Sequence, residues 1–349
     1  MNGFTRRAAL TGAGASLALA ACARGQDYAE QALAPGWTSA PDLPTRVQEI
    51  YPALLGQTIY VAGGLTPDAG TGSIGITDQV FALTPGATEW RRRARLPVPT
   101  HHPNLAAAEG YLYAIGGFTA ANGGAWSMTD AVRIYDESRD RWSAGPDLPT
   151  PYAETVAASI NGRIHVVTGR RPAGLSNRNW PDHADTNAHV VLDTAAGVWT
   201  TAAPAPTARN SAAGAVLGGR LHVVGGRTVT GGNVANHEVY DPAEDRWEAR
   251  APLPDPVEGP RGAGGLAAAV LGDRLYVFGG EWFDNSGGGV YRQVRAYDAA
   301  TDRWEELGDM PSPRHGLGAV ARDDAIYTIA GAEAAGGNRT SAAVQVFRP

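Results

Sequence analysis

The sequence predicts an all-β chain in which six copies of one unit close into a single ring. Three observations predict it. An apolar, strand-like run ending in paired glycines recurs along the chain, tryptophans keep the same beat, and 45 Gly and 24 Pro in 349 residues supply the tight turns that many short strands need. Hydrophobic residues make up 43%, enough to bury a sizeable core. The net charge of −6 argues against a general nucleic-acid binder. All 29 basic residues are arginine, so no arginine can be read as chosen over lysine.

The first 21 residues read as an address. Arg6 and Arg7 precede an uncharged, Ala-, Leu- and Gly-rich stretch that ends Leu19-Ala20-Ala21-Cys22. The stretch is too short to span a bilayer. The paired arginines resemble a twin-arginine export signal, and the ending resembles a lipobox, in which the cysteine thiol is lipidated. The expected organisation is a leader over 1–21, a lipidated Cys22, a tether over 22–35 and the ring over 36–349. A periplasmic or cell-envelope protein follows, touching the membrane only through its lipid. Cleavage near Ala20-Ala21 or Ala23 is the alternative, and would release a soluble protein.

The repeats come next. Paired glycines follow the runs Ile59–Ala62 and Leu112–Ile115, and recur as Gly225-Gly226 and Gly279-Gly280; in two weaker copies Thr168 and Ala330 replace the first glycine. Successive copies lie 53, 52, 57, 54 and 51 residues apart. Trp37, Trp90, Trp142, Trp199, Trp247 and Trp304 keep this spacing. Three repeats share a hairpin running from Tyr-Asp to Asp-Arg-Trp: Tyr135 to Trp142, Tyr240 to Trp247 and Tyr297 to Trp304.

Paired glycine after an apolar strand, then Tyr-Asp and a Trp, resembles the kelch repeat over essentially all of 36–348. The resemblance implies a β-propeller with four antiparallel strands per blade. The glycines end the second strand where a Cβ would clash or φ must be positive. Tyr and Trp pack one blade on the next, and the residues between them turn from the third strand into the fourth. Trp37 precedes the first glycine pair, while the last repeat ends after Val344–Phe347 without a tryptophan. Residues 36–43 are therefore expected to supply the fourth strand of blade 6. The predicted fold is a monomeric, six-bladed kelch β-propeller whose blade 6 is closed by the N-terminal strand.

Binding groups are expected on the face that collects one loop from each blade. Loops leading into the inner strands carry Arg46, His101 with His102, Tyr152 with Glu154, Arg209 with Asn210, Arg261, and Arg314 with His315. Loops between second and third strands carry Phe118, Arg170, Arg171, Arg227, Glu281, Trp282 and Glu333. A face rich in arginine and histidine attracts carboxylate, sulfate or phosphate groups. The plainer alternative is that these arginines satisfy loop carbonyls and neighbouring carboxylates. Trp126, Trp180 and Trp282 leave the repeat spacing and fall in the same loops. They are expected either as stacking platforms or as seals of their own loops, Trp282 being the strongest platform and Trp126 the weakest.

His183, Asp185 and His189 match no tight metal-ligand spacing, and adjacent His101 and His102 point to opposite faces of a strand. No metal and no cofactor is expected. Copper oxidases resembling galactose oxidase need a Tyr–Cys crosslink, and the only cysteine is Cys22, at the end of the export signal and outside the ring.

The expected function is an interaction module that grips a polar or anionic small ligand, a glycan, a peptide or an envelope partner on its loop face, with no nucleic acid involved. The alternative is implied by resemblance to sialic acid mutarotases, exported six-bladed kelch proteins that open and reclose an acidic sugar ring. In that reading Arg209, Arg227 and Arg314 clamp the carboxylate, and Glu154, Glu281 or His315 moves the proton. No catalytic motif aligns onto particular positions, so catalytic residues stay unassigned.

Overall fold

A computed structural model describes residues 36–70, 74–285 and 287–349. The expected leader, Cys22 and the tether lie outside the described residues. The described chain is a six-bladed β-propeller, each blade a four-stranded antiparallel sheet. The innermost strands are Ala53–Leu55, Asn104–Ala108, Val156–Ile160, Ala213–Leu217, Ala267–Leu271 and Gly318–Arg322. Each lies against the next, and the sixth lies against the first. Small two-stranded hairpins extend four blades on the loop face, among them Phe118–Ala120 with Trp126–Met128 and Arg170–Pro172 with His183–Asp185.

Blade 6 takes its outer strand from the N-terminal side, as expected. Trp37–Ser39 pairs antiparallel with Thr340–Phe347, placing Trp37 opposite Phe347. The Trp37 ring also meets Phe278 of blade 5 edge-on, in a core cluster that spans the two blades. Pairing the ends covers what would otherwise be an open sheet edge.

The periodic tryptophans pin blade to blade by a hydrogen bond as well as by packing. The indole N–H of Trp90, Trp142, Trp199, Trp247 and Trp304 donates to the carbonyls of Pro41, Ala94, Pro146, Ala203 and Ala251, each in the preceding blade. The aspartate of each Asp-Arg-Trp completes the clasp. Asp140, Asp245 and Asp302 accept from the Tyr135, Tyr240 and Tyr297 hydroxyls and from the backbone N–H of Ala94, Ala203 and Ala251. One backbone residue of the preceding blade is thus held at both its N–H and its C=O.

Two buried histidine pairs join this clasp. His165 Nδ1 lies 2.9 Å from His189 Nε2, and His189 Nδ1 lies 3.2 Å from the Ala203 carbonyl. His222, His237 and the Ala251 carbonyl repeat the arrangement one blade on. A carbonyl only accepts, so His189 and His237 carry their proton on Nδ1 and accept at Nε2. Burial lowers all four: His165, His189 and His222 to about 4, and His237 to about 3.

The glycine pairs make the second set of links. The N–H of Gly64, Gly117, Gly169, Gly226, Gly280 and Gly331 donates to Thr100, Tyr152, Arg209, Ala263, Arg314 and Val47, always in the loop leading into the next blade. At Gly279, with φ +61, a Cβ would stand 2.0 Å from the Arg314 carbonyl oxygen. Only glycine fits there.

Candidate functional site

The residue just after each glycine pair sets the site. Leu65, Phe118, Arg170, Arg227, Glu281 and Ala332 directly follow the glycine positions, and each bridges to a residue in the loop leading into its own blade: Gln48, His101, Ala153, Asn210, Gly264 and His315. One residue further on, Glu49, His102, Glu154, Ser211, Gly265 and Gly316 all take left-handed backbone conformations, with φ between 51° and 64°. They form an inner ring around the channel mouth. The N–H groups of Glu49, His102, Ser211, Gly265 and Gly316 donate to the carbonyls of Gly316, Glu49, Glu154, Ser211 and Gly265, the corresponding residues one blade back.

Two of the six ring positions are glycine, which meets this geometry without strain. Glu49, His102 and Glu154 meet it at a cost on the order of 1 kcal/mol each, a pattern associated with functional sites. Above the ring opens a cavity of about 640 Å³ that all three side chains line, with Arg227 and Glu281 from the second layer. Its walls are aromatic: Trp126, Trp180 and Phe283. A smaller cavity of about 70 Å³ lies between the inner strands.

The charged groups form one network. His102 Nε2 lies 2.7 Å from Glu49 Oε2 and 3.8 Å from Glu154 Oε1. Glu154 pairs with Arg170, and Glu281 pairs with Arg227, whose other arm lies 3.9 Å from Glu154. His315 Nδ1 stands 3.4 Å from Glu281 Oε2 and 3.6 Å from Glu49 Oε1. Burial pushes the Glu49 carboxyl up, but His102, His315 and Arg227 together outweigh it and hold the group below the usual carboxylate range. Glu154 is likewise pushed up by burial and brought down further by Arg170, Arg227 and His102. For Arg227 burial works against the charge, and Glu154, Glu281 and Glu49 more than restore it. The site therefore holds ionised carboxylates beside imidazoles in a confined space, the arrangement that proton transfer to and from a bound hydroxyl requires.

Several expected site residues are elsewhere. Arg209 and Arg314 are fully buried inside their blades and do not line the cavity. Arg209 pairs with Glu238 and donates to the Val223 carbonyl. Arg314 donates to the carbonyls of Ser312, Ala330 and Ala343 and to the Gln345 side chain. Neither is placed to clamp a ligand, because each guanidinium is consumed by groups that the fold itself buries. Tyr152 packs with Ile115 and Leu148 in the core. Arg46 is exposed and ion-paired to Asp68, away from the cavity. Arg261 lines the rim, donating to the Leu253 carbonyl and pairing with Asp255.

His101 and His102, expected on opposite faces of a strand, instead touch, because His102 has a left-handed backbone with φ +55, and they divide their roles. His101 is wholly buried, stacked on Phe118 with centroids 4.8 Å apart and edge-on to Trp126. Its Nδ1 lies 2.7 Å from His102 Nδ1, so it backs the histidine that reaches the cavity. Burial and the neighbouring His102 hold His101 well below its usual value. Arg170 is also buried, its guanidinium 3.3 Å from the centre of the Trp180 ring. The aromatic ranking reverses: Trp126 and Trp180 face the cavity, whereas Trp282 fills its own hairpin, tilted against Tyr291 with centroids 4.6 Å apart and closely approached by Gly259 and Gly289. His183 and His189 sit apart in a hairpin and a blade strand, and no group of three metal-ligating side chains occurs among the described residues.

Glu49 was not singled out from the sequence. Its signal was positional: it sits one residue before Ile50, as His102, Glu154 and Ser211 sit at matching points of their own repeats.

Comparison with known proteins bears on the family. The description "KLHDC2/KLHL20/DRC7 Kelch-repeats domain" matches residues 155–348. The chain is 28% identical over 324 residues to Kelch-like protein terF of Aspergillus terreus, covering 90% of this chain and 68% of that protein. It is 26% identical over 283 residues to Kelch-like protein 25 of Xenopus tropicalis, covering 80% of this chain and 44% of that one. A solved structure described as "Structure of YjhT" superposes with a TM-score of 0.73 at 18% identity, over 89% of this chain and 97% of the other.

Proposed function

The chain belongs to the kelch-repeat family, and from that premise we propose that it is a binding module whose loop-face cavity takes a polar, ring-shaped small molecule, a free sugar or the end of a glycan. One observation carries the reading: a cavity of about 640 Å³ whose floor is charged and buried and whose walls are Trp126, Trp180 and Phe283. Sugars present hydroxyls at their edges and apolar C–H groups on their faces, so they need both kinds of surface at once. A peptide partner would call instead for an open groove.

A thermal-shift screen of the chain against free monosaccharides tests this. A ligand at about a hundred times its dissociation constant raises stability by roughly 2.7 kcal/mol. The shift is expected to vanish in Arg227→Met. No shift with any sugar would contradict the proposal.

The Glu49–His102 contact of 2.7 Å favours a second reading, in which the module is a sugar mutarotase. A carboxylate takes the anomeric hydroxyl proton while an imidazolium protonates the ring oxygen; the ring opens, the carbonyl rotates, and the reverse transfers close it. Anomer exchange followed by NMR tests it: acceleration by the chain, abolished in Glu49→Gln, supports the enzyme, and an unchanged exchange rate leaves a binder.

Export rests on Arg6-Arg7 and on Leu19-Ala20-Ala21-Cys22. The proposed destination is the periplasm or cell envelope, by the twin-arginine route, with the lipid on Cys22 as the only membrane attachment. Fractionation tests it: Arg6→Lys with Arg7→Lys should keep the protein in the cytoplasm, and Cys22→Ala should free it from membranes.

A further inference from the structure

The arrangement of charge within the cavity narrows the ligand class, granted the sugar reading above. The charged groups lining the cavity floor are Glu49, Glu154, Glu281 and Arg227, with the His102 imidazole on Glu49 and Arg261 at the rim. Their remaining partners stand behind them. Arg170 is wholly buried against Glu154, and His315 is buried between Glu49 and Glu281.

His315 is held from both sides. Its Nε2 lies 2.9 Å from the Gly336 carbonyl, which accepts only, so Nε2 bears a proton. Its Nδ1 faces two carboxylate oxygens at 3.4 and 3.6 Å. The three carboxylates face the guanidinium groups of Arg170 and Arg227 and the imidazoles of His102 and His315. Arg170 stands behind Glu154 and only Arg227 of the two guanidinium groups lines the cavity, so the network presents three carboxylates to the ligand.

We infer that the cavity takes a polyhydroxylated ring that is uncharged or bears an ammonium group, and that it discriminates against acid sugars. Hydroxyl and ammonium groups donate to the facing carboxylates. A ligand carboxylate would meet like charge at Glu49, Glu154 and Glu281, and Arg227, the one guanidinium on the floor, is already occupied by Glu281. The arginine-rich face read from the sequence is thus reversed on the cavity floor, because Arg227 there is spent on Glu281, while Arg261 at the rim pairs with the exposed Asp255.

Calorimetric titration of the chain at neutral pH with hexoses, hexosamines and hexuronic acids, each in gluco, galacto and manno configuration, tests the inference. For any configuration that binds, the hexose or hexosamine is expected to bind at least about tenfold more tightly than the uronic acid. A uronic acid that binds as tightly as its hexose overturns the inference and leaves the sugar site standing. Binding by none of the nine overturns the sugar site, and the inference with it.

Discussion

Arg209 and Arg227 occupy comparable loops and look alike in sequence, yet they do different work. Arg209 holds Glu238 inside blade 4, whereas Arg227 reaches the cavity between Glu154 and Glu281. Arg209→Met leaves a buried carboxylate without its partner and is expected to cost about 3 kcal/mol in urea unfolding while sugar binding in the surviving folded protein is unchanged. Arg227→Met is expected to abolish binding. If Arg209→Met lost binding at unchanged stability, the assignment would be reversed. Acid sensitivity belongs to this scale as well. Glu49 and Glu154 have folded values below their unfolded ones. Their contribution is therefore complete above the ordinary carboxylate value of about 4.3, and it is lost as pH falls from there through the folded values. The sequence showed which loops carry charge but not which charge meets which, since ion-pair partners such as Glu154 and Arg170 or Arg209 and Glu238 come together only on folding. That is why the arginines stood out as a free clamp and Glu49 did not stand out at all.

Within the blades, the glycine pairs and the Asp-Arg-Trp hairpins were legible because they are local motifs with fixed offsets. Their inter-blade bonds were less so: Asp140, Asp245 and Asp302 read as turn residues, yet each also accepts from the neighbouring blade's backbone. Two glycines separate clash from conformational strain. Gly272→Ala, at φ +63 with open space around it, is expected to cost about 1 kcal/mol; Gly279→Ala, at φ +61 against the Arg314 carbonyl, should cost at least about 2 kcal/mol more. Equal losses in urea unfolding would refute the close approach. The histidine pairs give the seams of blades 3, 4 and 5 a pH signature of their own. Their folded values, about 4 for His165, His189 and His222 and about 3 for His237, lie below the unfolded value of about 6.5. The unfolded chain binds more protons in that interval, so stability is complete above about pH 6.5 and declines as pH falls toward 4. The slope is at most about 1.4 kcal/mol per pH unit for each histidine. His237→Gln should flatten the slope of unfolding free energy between pH 6 and 4.5, and an unchanged slope would show that the pair does not titrate there.

At the scale of the whole molecule, a nearly symmetric ring carries an asymmetric site. Blades 1 to 3 place Glu49, His102 and Glu154 on the inner ring; blades 4 to 6 place Ser211, Gly265 and Gly316 there, leaving room for Arg227, Glu281 and His315 from other positions. The repeat spacing made the six blades and their closure by Trp37 readable, because closure follows from counting tryptophans against glycine pairs. It left the site unread, since the site is built from the positions that differ between repeats. Closure itself has a stated consequence: Trp37→Ala removes a buried ring from the seam of blades 5 and 6 and is expected to cost roughly 3–5 kcal/mol. A loss below about 1 kcal/mol in urea unfolding would show that the N-terminal strand is dispensable. The central claim, that the loop-face cavity is a sugar site with a carboxylate-lined floor, is tested most directly by a crystal structure of the chain soaked in a neutral hexose that binds it. The account predicts a ring lodged among Trp126, Trp180 and Phe283, with hydroxyls donating to Glu49, Glu154 or Glu281. A hexose bound on the opposite face, or at the blade edges with the cavity unfilled, would contradict it.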